Sequence, residues 1–365
     1  MPVVSGVLVS LVSLLAVGGT ASAAQSSGSH VVTDMSGAKV RVPDKVTRIA
    51  EQFPAHTAMD VMLGVGKDLV AIPQNVSTIP FLRIVDPGIT KVPQLFPSDG
   101  NVNIEELLKA NPDLVSSTGK GSTVKQFASV NLPAVDMTFT TFPGLIQSVH
   151  LAGSVYGGVA KTRAAKYTTY LQSKINMIRS TIAKAHLSPA QTPSVVHIAS
   201  YPPLVVDGGD SIVQQWIQTD GGTDAAGGLK GTHLSVSMEQ LLKWNPNVLI
   251  IETPGGDQGL VANSAKSVLA SLSKAAGWSD LKAVKDHQVY MDPQGLYPWD
   301  RFGPEEALQV QWAAKVLHPE LFKNLNMRSV TRNFYKEFFN YNPTNTQLSD
   351  ILQTTATSGI ASASA

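Results

Sequence analysis

The chain contains no cysteine, which removes disulfides, thiolate metal sites and a cysteine nucleophile at once. Neither charge is in excess: 28 Lys and Arg stand against 27 Asp and Glu, a net of +1. These charges form no basic stripe, so nothing in the sequence is arranged for nucleic acid. There is also no phosphate loop, no Gly-x-Ser-x-Gly, no His-Glu-x-x-His and no dinucleotide fingerprint, so the commonest motifs of nucleotide, hydrolytic and redox chemistry are missing. What remains is an ordinary globular composition, 43% hydrophobic and 15% charged over 365 residues, a length that suggests about two domains.

The ends are unlike the middle. Val3 to Val17 is apolar, and Ala21-Ser22-Ala23 is a small-residue cleavage pattern, so residues 1–23 are expected to be a signal peptide with the mature chain starting near Ala24. No Lys or Arg precedes the apolar run. An uncleaved anchor is the rival reading, and the richness in Gly, Ser and Ala speaks against it. Without a cysteine at the cleavage site, a lipid anchor is not expected, and a free periplasmic protein is. Residues 354–365 are rich in Ser, Ala and Thr and are expected to form a disordered tail.

One segment occurs twice. Residues 103–115 and 237–249 each run cap, Glu, Leu-Leu-Lys, Asn-Pro, apolar strand. Asn103 or Ser237 can accept a hydrogen bond from the first turn of the helix that follows. Glu105 and Glu239 fall where the helix dipole favours negative charge. Leu107, Leu108, Leu241 and Leu242 are expected to face inward, and the residue before Pro112 or Pro246 should end each helix. Two copies so far apart do not make a solenoid. They indicate two similar α/β lobes, and a cleft between lobes is where a ligand sits.

The rest of the pattern agrees. After a small hairpin over residues 31–43, strands near Arg48–Ala50, Leu69–Ile72, Leu114–Val115 and Ala134–Met137 alternate with helices, as in a parallel sheet covered by helices. Ala160 to Ala185 has no Gly or Pro, with apolar residues at helical spacing. A helix of about 26 residues would extend about 39 Å, a rigid strut between lobes. The α/β pattern restarts at Ser194. The expected divisions are 24–142 for the first lobe, 143–186 for the helical link and 187–353 for the second lobe.

In this order the segments resemble the periplasmic substrate-binding proteins of ABC importers for chelated iron, haem and cobalamin. The matching pieces are Arg48-Ile49 through Gly64-Val65-Gly66 to Asp68-Leu69-Val70, Ile104-Glu105 to Pro112-Asp113, Met238-Glu239 to Pro246-Asn247, Gly277-Trp278 to Val289-Tyr290, and Trp299 to Phe322. The resemblance covers residues 31–353. It implies two Rossmann-like α/β lobes with parallel sheets on one backbone helix, a shallow cleft, and an acidic residue on each lobe that docks on permease arginines. The matching positions are Glu105 and Glu239. The implied partners are an ABC permease with its ATPase and a small metal chelate: ferric siderophore first, then haem or cobalamin, or a nickel or cobalt chelate. No cofactor and no catalytic residue is implied, and a monomer is the default.

Cleft residues should lie on loops at the carboxyl ends of strands. In the first lobe these are Phe53, His56, the loop Gly119–Ser122 and Phe139 to Phe142. In the second they are Tyr201, Thr253 to Asp257, and Tyr297 to Arg301. Phe53, Phe139, Tyr201, Tyr297 and Trp299 would supply flat contact, Arg301 a bidentate clamp for an anionic chelate, and His56 a candidate ligand to its metal. Each has a plainer use: Trp299 may cap a helix, Arg301 may pair with Glu305, and His56 may pack at a helix start. His233 is a weaker candidate. His150, His186 and His318 read as surface or core. Asp207-Gly208-Gly209-Asp210 and Asp220-Gly221-Gly222 read as turns. No metal-ligand set is legible. A periplasmic chelatase using His56 or His233, or a ligand sensor for a membrane partner, are the alternatives.

Overall fold

Beyond Met1, the computed structural model of the protein describes residues 28–117, 122–252 and 262–353. The expected signal peptide, nearly all of the Gly119–Ser122 loop, the Thr253–Asp257 loop and the expected tail lie outside the described residues. No helix among the described residues is long and apolar enough to cross a membrane.

A hairpin of β1 (Ser29–Thr33) and β2 (Lys39–Pro43) opens the chain. The first lobe follows, with β3 (Ile49–Glu51), β4 (Leu69–Pro73), β5 (Gln94–Phe96), β6 (Leu114–Ser117) and β7 (Ala134–Asp136) in the order β5-β4-β3-β6-β7, every pair parallel. The second lobe holds β8 (Ser194–Ser200), β9 (Val205–Val206), β10 (Thr223–Asp224), β11 (Leu234–Ser235), β12 (Val248–Ile251) and β13 (Val289–Met291), in the order β11-β9-β8-β12-β13 with β10 also on β8. Here β8, β10, β12 and β13 pair in parallel, while β9 and β11 join antiparallel. The expected parallel sheets are therefore present, with an antiparallel margin on the second. In each lobe the strand order reverses at one place, between β3 and β6 and between β8 and β12. The carboxyl ends there form the crevice where open sheets bind ligands.

The two repeated segments fold alike. Asn103 accepts a hydrogen bond from the Glu106 amide (3.2 Å) and Ser237 from the Gln240 amide (3.1 Å), as N-caps do. The helices Ile104–Lys109 and Met238–Trp244 then stop at Asn111 and Asn245, both at positive φ before proline, a conformation that Asn tolerates better than most residues. Next, Asp113 accepts from the Thr47 and Arg48 amides, and Asn247 from the Ser194 amide. Each copy thus pins the start of a central strand, β3 or β8. One expectation fails: Leu107 and Leu241 are buried, but Leu108 is 43% exposed, because adjacent helical positions do not share a face.

The linking helix runs from Gly158 to Ala185, about 42 Å at 1.5 Å per residue. Gly157, at positive φ, separates it from the helix Phe142–Tyr156. Ala160, Ala164, Tyr167, Leu171, Ile175 and Ile178 make its buried stripe, which packs against helices of both lobes, Pro54–Leu63 and Glu306–Leu317. The chain then returns: the helix Met327–Phe339 packs on the first lobe, where Phe81 and Tyr335 meet edge to face at 5.0 Å. Arg163 donates to the Met62 and Phe338 carbonyls, tying link, first lobe and returning helix together.

Candidate functional site

The first lobe builds its side of the cleft from β3 and the helix after it. Phe53 precedes Pro54 at the helix start, and His56 sits in the first turn. Their rings meet edge to face at 5.4 Å, and His56 stacks on Phe139 at 6.1 Å and 14°. Burial pushes the imidazole down to about 4, so His56 is neutral at ordinary pH and keeps one accepting nitrogen. Behind it lie Glu51, 3.9 Å from His56 Nδ1, and Asp60, both essentially inaccessible. Burial, and next the neighbouring Asp60 charge, hold Glu51 well above the usual carboxyl range, and burial pushes Asp60 up to about 8. With a neutral imidazole as neighbour, these acids are buried by keeping protons. His56, Asp60, Ser116, Phe139, Ser148 and Tyr156 enclose a cavity of about 10 Å³ there, the lower limit for one water.

The second lobe answers with the loop between β13 and the helix Glu306–Leu317. Its conformation is held from inside. Glu305 accepts from the Leu296 amide (2.6 Å) and the Tyr335 hydroxyl (3.0 Å), and Glu306 from the Phe302 amide (2.9 Å). Gly295 is required there, since a Cβ would lie 1.9 Å from the Tyr335 hydroxyl. Phe302 adopts φ 63, an unusual place for an aromatic residue and a cost the surrounding bonds must sustain. That cost aims its ring at the other lobe, 5.7 Å from Phe53 and 5.8 Å from Phe139, while Tyr297 lies 6.4 Å from Phe53.

Behind this aromatic patch is a buried ion network. The Arg301 guanidinium lies 2.6 Å from Asp300, 2.9 Å from Asp207 and 2.8 Å from Glu252, and 3.2 Å from His233 Nε2. His197, on β8, lies 3.1 Å from Asp207 and 3.3 Å from Asp300. Burial opposes charge on His197, but the hydrogen bonds to Asp207 and Asp300 raise it to about 10. Burial likewise opposes charge on Asp207 and Asp300. Arg301 and His197 nevertheless hold both below the usual range. Two cations therefore balance two carboxylates. His197, Asp292 and Asp300 also place ligand atoms within 4.8 Å of one another, a spacing that fits a metal, but the protonated His197 and Arg301 already supply the balancing charge.

Phe53, His56, Phe139 and Tyr297 are thus brought together as one patch across the lobes, and Arg301 stands directly behind Tyr297. Arg301 does not pair with Glu305; its carboxylates are Asp207, Glu252 and Asp300. Trp299 needs correction: it is fully buried, so it is core and offers a ligand no surface in this conformation. Tyr201 is half-buried and packs on the second lobe's own core, apart from the patch. Asp207, read as a turn residue, is a buried member of the ion network. Phe302, Glu252, His197 and Asp300 were not singled out. The only available signal for Phe302 was its place next to Arg301, and for Glu252 its place at the end of an apolar strand. Glu105 and Glu239 are exposed in the first turns of their helices.

Two α/β lobes joined by one long helix, with aromatic rings from loops after β3, β7 and β13 meeting between them, define a two-lobed binding-protein fold. The chain belongs to the periplasmic binding protein family, whose model matches residues 49–296. It is 23% identical over 346 residues to the molybdate-binding protein MolA of Haemophilus influenzae, across 87% of this chain and 93% of that protein. A solved structure of MolA with molybdate bound superposes with a TM-score of 0.73 at 21% identity, covering 86% of this chain and 99% of the other. The chain is also 24% identical over 299 residues to YvrC of Bacillus subtilis, an ABC transporter substrate-binding lipoprotein, across 80% and 86% of the two. A periplasmic solute-binding protein of Veillonella parvula matches with a TM-score of 0.76 and 25% identity, over 91% of this chain and 99% of its own. The family is one of binding proteins rather than enzymes, as the resemblance of the five ordered segments implied.

Proposed function

We propose that this protein captures an anionic metal chelate between its lobes and delivers it to an ABC permease. The observation that carries this reading is the patch of Phe53, His56, Phe139, Tyr297 and Phe302, contributed by both lobes around a neutral imidazole. Rings supply broad contact at low ordering cost, and a neutral imidazole can hydrogen-bond a chelate or take an open position on its metal. Ferric siderophore is the first ligand class, followed by haem, cobalamin and nickel or cobalt chelates. The mature protein is a free monomer released by signal cleavage, and its mass should start at Ala24.

A metal oxyanion is the second reading. It is favoured by the ring contacts across the lobes, which suit a small ligand better than a bulky chelate, and by the likeness to a molybdate-binding protein. Calorimetric titration with ferric siderophores, haem, cobalamin, nickel–histidine and molybdate tests both. Saturable binding of one chelate, weakened by Phe53→Ala, supports the first; selective binding of molybdate replaces it with the second. Failure of Phe53→Ala to alter any binding observed would remove the cleft from the proposal.

Glu105 and Glu239 dock on permease arginines. Both are exposed, and the Lys109 contact with Glu105 at 3.3 Å is a surface pair of little strength, so Glu105 remains available. Charges placed this way orient an encounter more than they add affinity. Reversal of both to Lys should abolish transport and leave ligand affinity unchanged; a matching loss of affinity would end the docking role.

A further inference from the structure

Arg301 has more anions than it needs. Asp207 and Asp300 are fully buried partners, and together they already balance Arg301 and His197. Glu252 is different. It follows the carboxyl end of β12 at the switch point, its side chain is 14% exposed where those of Asp207 and Asp300 are closed to solvent, and it contacts the same terminal nitrogen of Arg301 at 2.8 Å. It also lies beside Tyr297, whose hydroxyl is pushed up by burial first and then by the Glu252 charge. Among the described residues, Glu252 is therefore the carboxylate in contact with Arg301 whose side chain reaches solvent.

We propose that the Glu252 carboxyl is a built-in competitor that occupies the ligand's place on Arg301, and that the ligand binds by presenting an anionic oxygen which displaces it. This inference deepens the cleft reading above and rests on it. It concerns the chemistry shared by a metal oxyanion and the oxygen donors of a ferric chelate. The exchange is plausible on electrostatic grounds. A third carboxyl beside two balanced pairs bears an uncompensated burial cost, and moving it outward restores its hydration while the incoming oxygen takes its place against the terminal nitrogen of Arg301. A ligand without an anionic oxygen gains nothing from the exchange, so Glu252 also selects by charge.

The titration of Glu252 sharpens the expectation. Burial first, then the Asp300 charge, push it up to about 8. It faces Arg301, Asp300 and Tyr297 from the loop after β13, His197 from β8 and Asp207 from the segment after β9, with Asp292 and His233 close to the same network. Below about pH 8 Glu252 holds a proton and competes weakly for Arg301. Above it, the charged carboxylate competes fully, and affinity for an anion should fall.

Calorimetry on the folded mature chain tests this, using sodium molybdate and ferric citrate from pH 6 to 9, with wild type, Glu252→Gln, Arg301→Gln and Phe53→Ala. Glu252→Gln should bind at least one anionic probe about tenfold tighter than wild type at pH 9, with most of the pH dependence gone. Arg301→Gln should lose that binding. Which anion gains tells oxyanion from chelate. Equal or weaker anion binding by Glu252→Gln, an unchanged pH slope, or no anion binding by that variant overturns the proposal. If Phe53→Ala still weakens a bound chelate in that case, the cleft reading stands without it; if Phe53→Ala changes nothing, the cleft reading itself has failed.

Discussion

The two walls of the cleft bury carboxyl groups in opposite ways. In the first lobe Glu51 and Asp60 lie beside a neutral His56 and keep their protons. In the second, Asp207 and Asp300 stay charged because His197 and Arg301 lie within hydrogen-bonding distance. A buried acid has only these two routes, protonation or pairing. The difference gives one wall a neutral, apolar character and the other a polarised one. A ligand with a flat body and an anionic edge matches both.

The largest expected effect comes from removing charge on the paired side. Asp207→Asn leaves Arg301 and His197 short of a partner and should cost about 3–5 kcal/mol by urea unfolding at pH 7. Glu51→Gln on the other wall imitates an acid that is already protonated, and should change stability by less than about 1 kcal/mol. Equal losses from the two substitutions would erase the contrast.

The pH dependence should also differ in sign. Asp60 is raised from 3.8 to about 8, so the folded state binds the proton more tightly. Its stabilising contribution is complete below the unfolded value and is lost as pH rises through about 8. Asp207 and Asp300 are held below 3.8, so their contribution is present above that value and disappears as pH falls through their folded values. His197, raised from 6.5 to about 10, contributes below 6.5 and loses that contribution as pH rises through about 10. Between pH 5 and 6.5 the first wall should therefore lose stability while the second holds, and above 6.5 His197 begins to lose its contribution as well. Unfolding midpoints should fall across this window in the wild type and fall less in Asp60→Asn.

Smaller effects concern the ligand. Phe53→Ala should weaken binding about tenfold, the scale of one lost aromatic contact of about 1.5 kcal/mol. Tyr201→Ala, away from the patch, should change affinity less than about twofold, as surface changes remote from a site usually do. A larger loss would return Tyr201 to the ligand site.

Much of this molecule is set locally. The repeated segment carries its own cap, its own stop at Asn-Pro and its own anchor at Asp113 or Asn247. The cap and the stop are interactions between near neighbours, so residue spacing reveals them, while the anchors reach strands 53 to 66 residues away and show only in the fold. The linking helix is equally plain, because an uninterrupted apolar stripe needs no distant partner to be recognised. Phe53, His56, Phe139 and Tyr297 could be singled out because each follows a strand in a lobe whose order is readable.

What the sequence alone determined is the two-lobed α/β architecture, which follows from local periodicity and caps, while its family was implied by the resemblance of its ordered segments. Tertiary structure decided what the cleft loops do. Trp299 and Arg301 stand two positions apart, yet one is core and the other is the centre of an ion network, because Asp207, Glu252 and Asp300 arrive from three separate parts of the chain. The protonation of Glu51 and Asp60, the aim of Phe302 and the pairing of Glu252 depend on desolvation and on partners distant in sequence. Such effects are fixed only when the chain has folded.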